Sequence, residues 1–218
     1  MNDLIKTLYD NLPKEYVDLN LQKSGESGEE LAVDEACVWK RVLDYRLIKK
    51  FKPKNILETH AGLGVATDLY KLASPKSSIV SCKHFQTDIP KNMIFDYIDI
   101  DPFGQPYEAL EHTLIKHSDV NTIWQITNGE IMQVSRNLKG VKLKSEYTGK
   151  DCYKWAEEVY IPWMEEYLDL KCQYYYIFPT SVRAVFSNKK ISRELFKGCP
   201  VYMGWITKYK DNNRRYLF

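Results

Sequence analysis

The sequence predicts an α/β fold built on a mainly parallel sheet covered on both faces, with antiparallel strands at one edge. Three observations predict it. A short apolar run ends in a glycine corner that leads into a helical pattern, strand-like and helical segments then alternate through the middle of the chain, and the last third crowds strand-like runs too closely for parallel crossovers. With 218 residues the chain can bury one sizeable core, so residues 1–218 are expected to form a single domain, to which an N-terminal helix and flexible loop over residues 1–30 are appended.

The elements follow from spacing. Leu4, Ile5, Leu8, Tyr9 and Leu12 recur at helical intervals until Pro13, which predicts a short first helix; Ser24 to Glu30 reads as a flexible loop. Leu31, Ala36, Trp39, Leu43 and Leu47 mark one face of a long helix ending near Phe51, where Lys52-Pro53-Lys54 breaks it. Asn55 to Leu57 is a strand, Ala61 to Gly64 a turn and Val65 to Leu72 a helix. Ser78 to Cys82 and Ile94 to Ile100 are further strands, Tyr107 to Lys116 a helix and Thr122 to Thr127 a strand. Tyr153, Ala156, Tyr160, Trp163 and Tyr167 form a helical stripe, and Lys171 to Phe178, Val182 to Ser187 and Val201 to Tyr209 are the closely spaced strands.

Composition excludes some classes. Hydrophobic residues at 44% and charged residues at 28% are ordinary globular values, so neither disorder nor a fibrous architecture is expected. No run approaches the roughly 18 apolar residues of a membrane span, and the first residues lack a secretory layout, so a cytoplasmic chain without a membrane partner is expected. Cys37, Cys82, Cys152, Cys172 and Cys199 show no CxxC spacing, which argues for reduced thiols rather than a disulfide framework or a zinc site.

The net charge of +2 does not announce a nucleic-acid binder; local clustering decides that. Clusters lie at Lys139, Lys142, Lys144 and Lys150, at Lys189, Lys190, Arg193 and Lys197, and at Lys208, Lys210, Arg214 and Arg215. Each is either a solvated face or a phosphate contact, and a shared side of one cleft would favour the second. Tyr107, Trp124 and Tyr147 are candidates for base stacking, against the alternative that such rings fill the core.

Two motifs carry chemistry. The first is Ile56-Leu57-Glu58-Thr59-His60-Ala61-Gly62-Leu63-Gly64, a strand that ends in an acid and runs into Gly-x-Gly. Glycine tolerates positive φ and lets a ligand approach the backbone closely, although such corners also serve as plain turns. Thr67 stands where a dinucleotide fingerprint has its third glycine, which weakens a nicotinamide reading. The second is Phe95-Asp96-Tyr97-Ile98-Asp99-Ile100-Asp101-Pro102-Phe103-Gly104-Gln105-Pro106, placed at the carboxyl end of a parallel strand, the rim where α/β folds bind ligands. An exocyclic base amine is a poor nucleophile, because its lone pair is delocalised, and needs acceptors for its N–H bonds. Asp101 and the Pro102 carbonyl can supply them, Pro102 biases Asp101 toward an extended backbone, and Phe103 can stack on an unpaired or flipped base.

The first motif resembles motif I of class I S-adenosylmethionine-dependent methyltransferases and the second resembles motif IV of amino-methyltransferases. The Asp-Pro-Phe-Gly form is most similar to the tRNA guanine-N2 dimethyltransferase family. The likeness covers Asn55 to Pro106, about a quarter of the chain, and that family is larger, with a second domain. The resemblance implies a Rossmann-like methyltransferase fold and S-adenosyl-L-methionine as cofactor, held by Glu58, His60, Ala61, Gly62, Gly64, Lys83, His84 and Asp99. It implies an acceptor site of Asp101, Pro102, Phe103 and Gly104, with Gln105 and Asn128 as neighbours on the substrate side and no metal.

Two departures from that family stand out. The acid that ordinarily follows the second strand and holds the ribose is replaced by Ser81-Cys82-Lys83-His84, with Asp88 the nearest acid. Roughly a dozen residues separate the second strand from the strand carrying Asp99, too few for the usual helix, strand and helix, so one strand of the sheet is expected to be missing or remodelled. His60 either fills the cofactor pocket or lies at the surface.

The function expected is N-methylation of an exocyclic base amine in nucleic acid, RNA before DNA and guanine N2 before adenine N6. A non-catalytic binding subunit of the same fold and a small-molecule N-methyltransferase are the other readings, and Asp101 could orient the amine or take up its proton.

Overall fold

The structure is a computed structural model and describes residues 10–18, 35–62, 64–102 and 104–202. A helical turn at 14–18 begins just after Pro13, whose carbonyl accepts from the Tyr16 and Val17 amides. Proline suits the start of a helix because its missing N–H is one that no helical partner would satisfy. Pro13 therefore opens a helical turn as well as closing the apolar pattern before it. That pattern over residues 4–9 and the loop from Ser24 to Glu30 lie outside the described residues.

In chain order the elements are α1 (Glu35–Phe51), β1 (Asn55–Glu58), α2 (Val65–Ala73), β2 (Ser78–Ser81), α3 (Phe85–Asp88), β3 (Tyr97–Ile100), α4 (Tyr107–His117), β4 (Ile123–Asn128) and α5 (Ile131–Ser135). They continue with α6 (Cys152–Lys154), a π-helical stretch (Trp155–Tyr160), α7 (Ile161–Leu168), β5 (Lys171–Phe178) and β6 (Ser181–Ser187). The sheet has six strands in the order β2-β1-β3-β4-β6-β5. β2, β1, β3 and β4 pair in parallel, and β6 joins antiparallel to β4 and to β5. β2 is the outer strand on its side, so among the described residues no strand occupies the place beyond it. The short connection from β2 to β3 holds only the single turn of α3.

Three expectations are corrected. The strand expected to start at Ile94 begins at Tyr97, because Phe95 donates to the His117 carbonyl and the Asp96 carboxylate accepts the Lys54 and Asn55 amides, so this segment braces neighbouring loops before it joins the ladder. The stripe from Tyr153 to Tyr167 runs through the π-helical stretch, whose wider turn changes the phase: Trp155 is buried as well as Tyr153, Ala156 and Tyr160. Trp124 is a core residue of β4 and offers no face to a base. Of the strand expected at Val201 to Tyr209, the residues beyond Tyr202 lie outside those described.

Alternate residues of each strand face opposite sides of the sheet. On one side Leu57, Ile98, Ile100, Trp124, Ile126, Ala184 and Phe186 pack against α4, α5 and the helices from Cys152 to Leu168. On the other, Ile56, Tyr97, Ile123 and Val185 pack against α1 and α2. This second face turns polar toward the carboxyl ends of the parallel strands, where Glu58, Asp99, Gln125, Thr127 and Arg183 are all buried.

Arg183 is fully buried, and its guanidinium lies 2.9 Å from Asp44 of α1 and 3.0 Å from Asp99 of β3. It also donates to Thr127 Oγ1 at 2.6 Å, while Gln125, whose Oε1 accepts from Tyr97 at 2.7 Å, donates to the same oxygen of Asp44. Burial by itself would lower the arginine's pKa; Asp99, Asp44 and Asp101 outweigh it and keep the cation charged. Replacing one member of a buried pair leaves the other charge unpartnered. Arg183→Met is therefore expected to cost about 3–5 kcal/mol in urea unfolding, and a loss of under about 1 kcal/mol would contradict this reading of the network.

Candidate active site

The two motif corners leave the same edge of the sheet. β1 and β3 are parallel neighbours with Glu58 opposite Asp99, and the Thr59 amide bonds to the Asp99 carbonyl at 3.0 Å. Beyond Glu58 the chain forms a tight turn in which the Gly64 amide bonds to the Ala61 carbonyl, with Gly62 at φ 51° and Gly64 at φ 75°. Both values lie in the left-handed region that glycine adopts without strain, and among the described residues, its chain neighbours apart, a Cβ at Gly62 would meet nothing within 4 Å. The space beside that backbone is open to a ligand. Gly64 also caps the amino end of α2.

Glu58 is buried at the floor of this turn. Thr67 and Ser81 both donate to its Oε2, at 2.5 and 3.0 Å, and among the described residues no hydrogen bond falls on Oε1. Burial is the main cause that pushes its carboxyl up to about 7; the nearby Asp99 adds to the shift, and the two hydroxyls and Arg41 oppose it. Asp99 is also buried and is pushed up to about 6, with Arg183 opposing; Tyr70 donates to it at 2.5 Å. Asp99 is therefore committed to Tyr70 and Arg183 beneath the crevice.

Asp101 stands at the rim. Lys40 of α1 reaches its Oδ1 at 2.7 Å, and Arg183 approaches the same oxygen at 3.6 Å. Burial would raise this carboxyl, but Lys40, Arg183 and Arg41 outweigh it and hold it well below the ordinary carboxylate range. The two cations share one oxygen, and among the described residues neither reaches Oδ2. Pro102 is half-buried beside it, while Phe103 and Leu63 lie outside the described residues. Gly104 is held by its neighbour strand: its carbonyl accepts the Gly129 amide at 2.9 Å, and a Cβ at Gly129 would come within 3.1 Å of that oxygen. A side chain at 129 would crowd that oxygen and require the corner to give by a few tenths of an ångström.

The remaining expected site residues divide. His60 is half-buried, bonds Thr59 Oγ1 through Nδ1 at 2.7 Å and packs on the Phe85 ring at 5.5 Å, so it lines the space between the glycine turn and α3. Burial lowers its pKa and the charge of Asp101 works against that shift, which is a second sign that the two corners face each other. Lys83 and His84 are exposed; both their amides donate to the Asp88 carboxylate, so the acid nearest to β2 closes a loop. Gln105 is exposed and donates to Glu130 and to the Gly140 carbonyl. Asn128 is buried, donates to Tyr107 and Glu130, and accepts from the Glu130 amide, so it braces the corner from below. Tyr107 is buried, donates to Glu130 and lies under Lys142, which leaves Tyr147 as the partly exposed ring among the stacking candidates.

Lys40, Asp44 and Arg183 were not singled out by sequence reasoning. For Arg183 a signal existed: an arginine interrupts a strand that is buried along its length and should read as a continuous apolar run. Buried charges of one sign require partners of the other.

The basic clusters separate. Lys139 to Lys150 follow α5 on the same edge as Gly104 and Gly129, whereas Lys189, Lys190, Arg193 and Lys197 follow β6, which runs antiparallel to β4 and ends at the opposite edge; Asn188 bonds the Val120 carbonyl there. The cluster from Lys208 to Arg215 lies outside the described residues.

No family model and no curated protein matches this sequence. Solved structures do. Trm1 from Pyrococcus horikoshii, solved with S-adenosyl-L-methionine, superposes over 73% of this chain and 57% of its own, with 15% identity and a TM-score of 0.50. The fold is that of a Rossmann-like methyltransferase. This chain thus spans just over half of that neighbour's length. The plantazolicin methyltransferase BpumL, in complex with a monoazolic desmethylPZN analog and SAH, covers 85% of this chain and 98% of its own, with 14% identity and a TM-score of 0.49. Within the methyltransferase fold, the glycine turn after β1 and the Asp-Pro corner after β3 hold neighbouring places on the carboxyl edge.

The raised carboxyl of Glu58 has a consequence for stability. Between its ordinary value of 4.5 and about 7 the folded chain keeps a proton that the unfolded chain has released, so this group's contribution falls as pH rises through that window. Glu58→Gln removes the effect. The variant should gain stability over the parent on the order of 1 kcal/mol at about pH 8 in urea unfolding, and the gain should vanish near about pH 5. An equal difference at both pH values would count against the assignment.

Proposed function

We propose that this chain is an S-adenosylmethionine-dependent N-methyltransferase whose acceptor is an exocyclic amine of a nucleic-acid base. Within that class, guanine N2 in RNA is the favoured target. One observation carries the reading: the open glycine turn and the Asp-Pro corner stand on adjacent parallel strands and share an edge, with Glu58 level with Asp99. The donor set suits the cofactor. Glu58 has an oxygen with no hydrogen bond from the described residues, which can accept from ribose hydroxyls in the absence of an acid at the end of β2, and Gly62 leaves room against the backbone.

S-adenosylmethionine, when bound, supplies an electrophilic methyl group. The chain's own residues position the amine. Asp101 Oδ2 accepts one N–H and the Pro102 carbonyl the other, and fixing both partners in one crevice removes much of the entropic cost. Asp101 is a weak base, because the cations on Oδ1 stabilise its ionised form. It therefore orients the amine and offsets charge developing on nitrogen, and the proton leaves to water. The lysines after α5 are the supply of phosphate contacts on this edge, and Gln105 ties them to the corner through the Gly140 carbonyl.

Calorimetry with S-adenosylhomocysteine tests the first half, and no heat at millimolar ligand would remove the enzyme reading and favour a binding subunit. Tritium transfer from labelled cofactor to mixed nucleic acid tests the second, since the labelled nucleoside separates guanine N2 from adenine N6. Asp101→Asn should lose about 100-fold or more in kcat with cofactor affinity retained. A variant with parental turnover would sink the acceptor assignment.

A further inference from the structure

We propose that Lys40 is a positioning residue: by binding Oδ1 of Asp101 it presents Oδ2 as the single acceptor oxygen facing an incoming base amine. The inference rests on the methyltransferase reading above and assigns the residue that sets its acceptor geometry. Lys40 belongs to α1, outside both motifs, and its ammonium lies 2.7 Å from Oδ1.

The surroundings show why Lys40, and not Arg183, has this role. Arg183 is fully buried and is occupied by Asp44, Asp99 and Thr127, so its 3.6 Å approach to Asp101 is a minor part of its bonding. Lys40 is partly exposed, and Asp101 is the acceptor it reaches among the described residues. A carboxylate left with both oxygens free can rotate about its Cβ–Cγ bond and can bind a proton. One oxygen fixed by an ammonium fixes the plane of the group and hence the direction of the other oxygen's lone pairs. The groups that face Asp101 are Lys40 and Arg41 of α1, Asp99 of β3, Arg183 of β6 and His60 of the turn after β1, and Asp44 of α1 shares Arg183 with it. Of these, Lys40 is the cation in hydrogen-bond contact with the carboxylate.

The test uses the full chain with Lys40→Met, close to lysine in length without the charge, and Lys40→Arg, which restores it. Carbon-13 NMR of the Asp101 carboxyl reads the pairing independently of catalysis. In the methionine variant the titration should move up by about one pH unit or more, and the arginine variant should follow the parent. With the nucleic-acid acceptor, kcat should fall about tenfold or more in the methionine variant and recover in the arginine variant, while affinity for S-adenosylhomocysteine stays within about twofold. An identical Asp101 titration in parent and methionine variant overturns the proposal. So does a shifted titration with parental kcat in the methionine variant, since Lys40 would then be merely structural. Absence of any methyl transfer by the parent, with the titration still moved by the substitution, counts against the proposed function and not against the pairing of Lys40 with Asp101.

Discussion

Three carboxylates converge near one guanidinium that has no contact with water. Arg183 sits on β6, crosses the face of β4 and reaches Asp99 on β3 and Asp44 on α1, with Asp101 just beyond. Each charge would be prohibitively costly in that position alone, and each is tolerable because the others are there. With Lys40 and Arg41 included, three cations face three carboxylates, so the cluster is formally balanced. The edge hairpin, the central strand and the helix over them are therefore bound to a single arrangement, because a shift of any one of them would strand a buried charge.

The same cluster sets the chemistry of the rim. Within a few ångströms the structure holds a carboxyl raised to about 6 by burial, Asp99, and one held far down by cations, Asp101, although they are separated by one residue in the chain. Asp99 lies under the sheet face with a tyrosine and an arginine for partners, whereas Asp101 emerges at the edge with its contacts to Lys40 and Arg183 on one oxygen. Alternation along a strand would put both side chains on one side of the sheet; depth in the crevice then gives them different tasks. The carboxyl at the end of β1 completes the row, pushed up to about 7 and with no hydrogen bond to Oε1 among the described residues.

The segments from β4 onward serve the rim from beneath. The hairpin of β5 and β6 contributes the arginine, and the turn after β4 contributes Gly129 and the acid of Glu130, which gathers Tyr107, Asn128, Gln105 and the Lys142 amide around it. That second network holds the corner after β3 by way of Gly104 and Gly129. Gln105 and Asn128 thus act as braces of the loop.

The sequence by itself determined the α/β class, the glycine turn, the Asp-Pro corner, the antiparallel edge and the shortened path from β2 to β3. All of these depend on residues close together in the chain: periodicity, a backbone angle open to glycine, a proline that fixes its neighbour. The tertiary structure alone decided which charges meet. Lys40 and Asp101 are 61 residues apart, and Arg183 lies 84 residues from Asp99 and 139 from Asp44. A buried carboxylate announces that it needs a cation, but the side chain carries no record of which one. Only the stacking of α1 and β6 on the same sheet face brings the partners within reach, and with them the direction in which Asp101 faces.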